Sequence, residues 1–205
     1  MPTLSSELRD EFGGIDIYLF DQLLKGRFDS RRDVLDAGCG AGRNLPWFLK
    51  RGFSVYGIDG DPAAIAHVRR MSAALAPSLP PAHFITGILS SLPWRDATMD
   101  AVISNAVLHF ARDEEEFGEM LRELWRVLRP GGLLFARLAS TIGLEVRLRW
   151  LKGRRARLPD GSERFVVDER FLLEWTDALG ARLLEPIKTT NVQNQRCMTT
   201  WCLEK

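Results

Sequence analysis

A three-layer α/β fold, with a doubly wound, mostly parallel sheet and an antiparallel last strand, is what this 205-residue sequence predicts. Three observations predict it. Short apolar runs bounded by glycine alternate with longer amphipathic segments. The alternation recurs five times within residues 33–139, as strands joined by crossover helices require. A glycine-rich turn also follows the first apolar run, where such sheets bind ligands.

The elements follow in order. Residues 1–32 precede the first strand, and "EFGGIDIYLFDQLL" is expected to fold as helix over the sheet. "DVLDAG" reads as a buried strand. "NLPWFLKRG" reads as a helix, with Pro46 in its first turn and Gly52 at its end. "FSVYGID" is the second strand, and Asp61-Pro62 opens the next helix as N-cap and first helical residue. "HFITGI" and "MDAVISN" are the third and fourth strands. In "DEEEFGEMLRELWRVLRPGG", Phe117, Met120, Leu121, Leu124, Val127 and Leu128 share one helical face. Acids crowd that helix's start and arginines its end, as the helix dipole favours. Pro130 is expected to end it and Gly131-Gly132 to turn the chain into the fifth strand, "LLFARLA".

Residues 141–167 form an insert with a turn at "PDGS". Asp168 caps a helix that Gly180 closes. "ARLLEPIK" and "MTTWCLEK" read as two strands joined by a polar loop, "TTNVQNQR". No repeat or linker divides the chain, so residues 1–205 are assigned to one domain.

Composition narrows the function. The net charge of +1 argues neither for nor against nucleic acid, and 45% hydrophobic with 27% charged residues is ordinary globular usage. The N-terminus carries no basic-then-apolar signal, and no apolar run reaches the ~18 residues of a membrane span. Cys39, Cys197 and Cys202 show no metal-ligand spacing. An odd, sparse set of cysteines suits reduced thiols and a cytoplasmic setting.

"VLDAGCGAGRN" carries the chemistry. Gly38, Gly40 and Gly42 read G-x-G-x-G, whereas a dinucleotide turn needs G-x-G-x-x-G, and Arg43 stands where its third glycine would be. Asp36 lies two residues before Gly38 and would repel a pyrophosphate, but it suits the ammonium of an amino-acid moiety. Asp59 ends the second strand about 20 residues on, where an acid can accept both ribose hydroxyls.

Together "VLDAGCGAG", "YGIDGD", "LPWRDATMDAVISNAVLHF" and "ELWRVLRPGGLLFA" resemble the class I S-adenosylmethionine-dependent methyltransferases, a Rossmann-like family, over residues 33–140. The resemblance implies S-adenosylmethionine as methyl donor and S-adenosylhomocysteine as product. It implies that Asp36, Gly38, Cys39 and Gly40 line the methionine end, that Asp59 and Gly60 hold the ribose, and that Asn105 lies near the methyl. One position departs from the family. Where relatives place an acid for the adenine amino group, this chain has Ile88, so adenine is expected to rest on apolar contact and on the Leu89 backbone N–H.

The acceptor side is less defined. No Ser/His/Asp or Cys/His set is present, and a sulfonium donor needs a general base only when the nucleophile carries a tightly held proton. His109, after the fourth strand, is the candidate base, although packing alone would account for a histidine there. The resemblance implies that residues 1–32 are lid helices that fold over the cofactor, with Tyr18 the candidate aromatic beside the sulfonium; an ordinary amphipathic helix with Tyr18 half-buried is the other reading. "RLRWLKGRRARL" (Arg147, Arg149, Lys152, Arg154, Arg155 and Arg157) is expected to attract an anionic small acceptor, to touch RNA with Trp150, or simply to be a solvated face. The favoured reading is a monomeric or homodimeric methyltransferase acting on a small molecule. RNA or protein methylation, a dinucleotide reductase and a non-catalytic adenosyl-binding subunit are the competing ones.

Overall fold

The computed structural model describes residues 3–205. Two helices come first, α1 (Leu4–Phe12) and α2 (Ile17–Leu24). The alternating core follows: β1 (Asp33–Ala37), α3 (Pro46–Lys50), β2 (Ser54–Asp59), α4 (Pro62–Leu75), β3 (Phe84–Thr86), β4 (Met99–Asn105), α5 (Glu114–Val127) and β5 (Leu128–Ala139). The insert contributes β6 (Arg149–Trp150), β7 (Arg155–Arg157) and β8 (Glu163–Phe165). The chain then forms α6 (Glu169–Ala178), β9 (Arg182–Leu183), β10 (Lys188–Val192) and β11 (Arg196–Glu204).

The main sheet runs β10-β11-β5-β4-β1-β2-β3, with β9 also paired to β11. β3, β2, β1, β4 and β5 are parallel; β11 is antiparallel to β5 and to β10. Strand order therefore reverses between β1 and β4, and the crevice at their carboxyl ends is where such a sheet receives a ligand. β1 and β4 are buried along nearly their whole length, as central parallel strands must be.

Local chemistry sets the helices. Asp61 accepts the Ala63 N–H and Asp113 the Glu116 N–H, each at a helix N-cap. The apolar stripe of α5 is buried through Phe117, Met120, Leu121, Leu124 and Val127. Each such side chain is worth roughly 1.5–3 kcal/mol relative to exposure.

Three boundaries differ from the sequence reading. The third strand covers only Phe84–Thr86, and the Gly87 N–H donation to the Asp59 carbonyl is the last rung of its parallel pairing with β2. α5 stops at Val127, and Leu128 is already extended, so Pro130-Gly131-Gly132 lies inside β5 rather than in a turn before it. Gly131 keeps a left-handed φ of 76° and donates to the carbonyl of Lys205. Finally, "TTNV" is strand: Thr189 to Val192 pair with Arg196 to Thr199 of β11. The connection shrinks to Gln193-Asn194-Gln195. Gln193 and Asn194 both have positive φ (49° and 56°), the pattern of a type I′ hairpin turn. Among the described residues no helix is long and apolar enough to cross a membrane.

Candidate active site

A cavity of about 550 Å³ opens at the reversal point. One end is built by the turn after β1 (Gly38, Cys39, Gly40, Ala41) and by Asn105-Ala106 after β4. The far end is walled by Leu158, Asp160, Ser162 and Arg164 of the insert, and by Val192, Arg196 and Met198 of the last hairpin. The Asp160 N–H donates to the Gln195 carbonyl at 3.3 Å, joining the two walls.

The turn owes its shape to glycine. Gly38, Gly40 and Gly42 all have positive φ. A Cβ on Gly38 would lie 2.3 Å from Val107, whereas one on Gly40 would meet nothing within 4 Å, so Gly40 presents bare backbone to open space. Asp59 fixes the turn from outside: its Oδ2 accepts the Gly40 N–H at 2.8 Å and its Oδ1 the Asp61 N–H at 2.9 Å. The Cys39 thiol packs inward and burial pushes its pKa up, leaving an inert sulfur behind the turn.

Polar atoms lacking protein partners mark the ligand position. Asp36 is 1% exposed and its Oδ2 has no hydrogen bond. Burial pushes its pKa up to about 7, with Arg43 opposing and Asp59 adding to the rise. Asn105, also buried, has neither amide atom bonded. Asn105 lines the cavity, whereas Asp36 is outside the lining, two residues before the turn that begins it; buried polar groups are seldom left alone, so the pair fits a polar ligand at that turn.

His109 sits in a single 3₁₀ turn, Leu108–Phe110, and lines the cavity. Its Nδ1 accepts the Ala139 backbone N–H at 3.2 Å. Burial, then the charges of Arg164 and Arg137, lower its pKa to about 3. The ring is thus neutral, and because Nδ1 is an acceptor the proton resides on Nε2. His109 therefore offers a donor rather than the base expected of it.

Other expected residues lie outside the lining. Tyr18 is half-buried, bonded through its hydroxyl to Thr190, with the Arg137 guanidinium 4.8 Å from its ring centre. Its ring is occupied by that cation. Asp59, Gly60 and Ile88 lie beyond the turn, where Ile88 is 63% exposed and a Cβ added to Gly60 would stand 4.0 Å from the Gly87 carbonyl. Leu89 is buried in the core. The basic insert points elsewhere: Arg154 pairs with Asp168 at 2.9 Å, and Arg157 with Glu163 at 2.5 Å. Asn44, Arg137 and Arg164 line the cavity without having been singled out as site residues, and Arg196 joins them from the polar stretch "TTNVQNQR", which the sequence offered either as an acceptor frame or as a solvated turn. Among the described residues no cluster of His, Cys, Asp and Glu could hold a metal.

Residues 35–136 match the family model described as a methyltransferase domain. That span contains the Asp36 carboxylate, the glycine turn, Asp59 and Asn105. The chain belongs to the class I S-adenosylmethionine-dependent methyltransferases. It is 37% identical over 111 residues to a probable S-adenosylmethionine-dependent methyltransferase of Mycolicibacterium smegmatis, covering 54% of this chain and 39% of that protein. It is 32% identical over 130 residues to a malonyl-[acyl-carrier protein] O-methyltransferase of Enterobacter lignolyticus, covering 62% and 48%. The chain thus spans about half the length, or less, of these curated methyltransferases. A methyltransferase structure from Methanosarcina mazei superposes with a TM-score of 0.68 at 22% identity, over 89% of this chain and 96% of that one, so the methyltransferase fold is shared.

Proposed function

We propose that this chain transfers a methyl group from S-adenosylmethionine to a small-molecule acceptor. The observation that carries the reading is the buried, unpartnered Asp36 Oδ2 beside a glycine turn that leaves Gly40 bare. An α-ammonium satisfies such a carboxylate, whereas a pyrophosphate would be repelled, which disfavours a dinucleotide reductase. The unpartnered Asn105 amide supports the same assignment, since it can donate to the donor's carboxylate or accept from its ammonium. Asp59 holds the Gly40 N–H and stands at the end of β2 for the ribose hydroxyls. The adenine end rests against the exposed Ile88, beyond the turn with Gly60.

When bound, the sulfonium supplies an electrophilic methyl. The protein's own work is positional. The rigid turn and Asn105 orient the donor, the insert and the last hairpin enclose the acceptor, and water is excluded between them. The His109 Nε2–H is available to orient an acceptor oxygen.

RNA methylation through the basic insert is the weaker reading. Arg154, Arg155 and Arg157 each lie within 4 Å of an acid of the same chain, at 2.9, 3.9 and 2.5 Å. The three buried free cysteines support a cytoplasmic setting. Titration calorimetry with S-adenosylhomocysteine tests the proposal. Binding that Asp36→Asn and Asp59→Ala both weaken is expected, and absence of binding to the parent chain overturns it.

A further inference from the structure

The lining of the cavity carries an excess of positive charge, and the one acid in it, Asp160, lies near enough to Arg164 and Arg196 for both to favour its ionised form. Four guanidinium groups line the cavity (Arg43, Arg137, Arg164 and Arg196) against one carboxylate, Asp160. Arg43 and Arg137 share Asp16 behind the lining, each at 3.3 Å. Arg164 and Arg196 form no ion pair among the described residues. Arg164 donates to the Glu163 carbonyl at 2.8 Å and stands 4.8 Å from the Phe110 ring centre. The Asp160 Oδ1 is already occupied by the Ser162 N–H at 2.9 Å and the Ser162 hydroxyl at 2.6 Å.

Neither His109 nor Cys39 supplies the lining with a free base. His109 presents a proton on Nε2, because its Nδ1 is taken by the Ala139 N–H. The Cys39 thiol is packed away from the cavity space. Such a chamber suits a nucleophile that is already deprotonated at neutral pH and that two guanidiniums can hold. A carboxylate meets both conditions, with an ordinary pKa near 4 and a geometry matched to the arginine fork.

We propose that the acceptor is a carboxylic acid, bound as its carboxylate by Arg164 and Arg196, and that a carboxylate oxygen takes the methyl. This rests on the methyl-transfer reading above. In the step, an oxygen lone pair forms the new O–CH3 bond. The C–S bond breaks, its electron pair returns to sulfur, and a methyl ester and a neutral thioether result. No proton is released.

Two measurements test it. First, succinate and inorganic phosphate are titrated into the full chain saturated with S-adenosylhomocysteine. Succinate is expected to bind, and Arg164→Gln and Arg196→Gln are each expected to weaken it at least tenfold while leaving S-adenosylhomocysteine affinity unchanged. No succinate binding, equal binding by the variants, or a preference for phosphate overturns the carboxylate site. Loss of S-adenosylhomocysteine binding by the parent chain instead overturns the underlying function. Second, a small-metabolite extract is incubated with methyl-labelled donor and the product is treated with alkali. A methyl ester releases its label as volatile methanol, and label that stays in the product overturns the proposal.

Discussion

Asp59 accepts the Gly40 N–H at 2.8 Å, so the carboxylate that ends β2 also sets the turn that follows β1. The two elements are neighbours in the sheet, with Ala37 opposite Ile58, and the bond locks the ligand side of both. Asp59→Ala therefore removes a charge-assisted bond worth about 1.5–3 kcal/mol in addition to any ribose contact. S-adenosylhomocysteine affinity is expected to fall about 10- to 100-fold in calorimetry, with the fold intact by circular dichroism.

Asp36 makes donor binding pH-dependent. Its pKa near 7 in the unliganded protein means it is largely protonated below that pH. An ammonium partner requires the ionised form, so binding releases a proton. Affinity for S-adenosylhomocysteine is expected to drop as pH falls below 7, approaching tenfold per unit, and to be flat in Asp36→Asn. For stability of the unliganded chain the sign is opposite. The folded state holds the extra proton between about pH 4 and 7, so this residue favours folding as pH falls through that window, by about 1.4 kcal/mol per unit. Chemical denaturation at pH 5 and pH 7, parent against Asp36→Asn, reads it.

His109 titrates the other way. Its folded pKa near 3 lies below the ordinary value of 6.5, so the unfolded chain binds the proton first and stability is lost as pH falls below 6.5. His109→Gln is expected to flatten that loss. Its effect on turnover separates a donor from a base. Removing a general base costs about 100- to 10,000-fold, whereas glutamine keeps a donor at this position, and a loss below about tenfold is expected.

Arg126 pins the loop that leads from β3 to β4. Its guanidinium donates to the Leu92 and Trp94 carbonyls at 3.0 and 2.9 Å and pairs with Glu123 and Asp96. Glu123 in turn accepts the Leu92 N–H at 2.7 Å. Arg126→Ala is expected to destabilise the chain by about 1–3 kcal/mol, since it leaves two carbonyls unbonded. Melting temperature measures the loss, and S-adenosylhomocysteine affinity should weaken with it, because Ile88 and Leu89 ride on the same loop.

The half of the site proposed to hold the donor was legible in the sequence because its parts are local. Asp36, Gly38, Gly40, Asp59 and Asn105 sit at strand ends or in the turn after a strand, and an apolar run followed by glycine or acid marks each one. The acceptor half depends on register. β7–β8 pairing sets Glu163 opposite Arg157, and strand alternation then turns Arg164 to the other face. Nothing in "RLRWLKGRRARL" announces that Arg154, Arg155 and Arg157 pair with acids while Arg164, outside the run, lines the cavity. "TTNV" misled for a similar reason. Its polarity suggested loop, but threonine and valine suit an edge strand, and the turn was carried by Gln193-Asn194, residues that rarely advertise a positive φ. The tautomer of His109 depends on the Ala139 N–H, 30 positions away in sequence.

The backbone bond from Asp160 to Gln195 has an evolutionary meaning. It joins the turn between β7 and β8 of the insert to the tip of the β10–β11 hairpin at the edge of the main sheet, both of which follow β5 in the chain. Lengthening either hairpin, or trading its side chains, reshapes the acceptor chamber without disturbing β1, β2 or β4. The half built from β1, β2 and β4 can keep its geometry while the chamber opposite takes a new shape, one loop at a time.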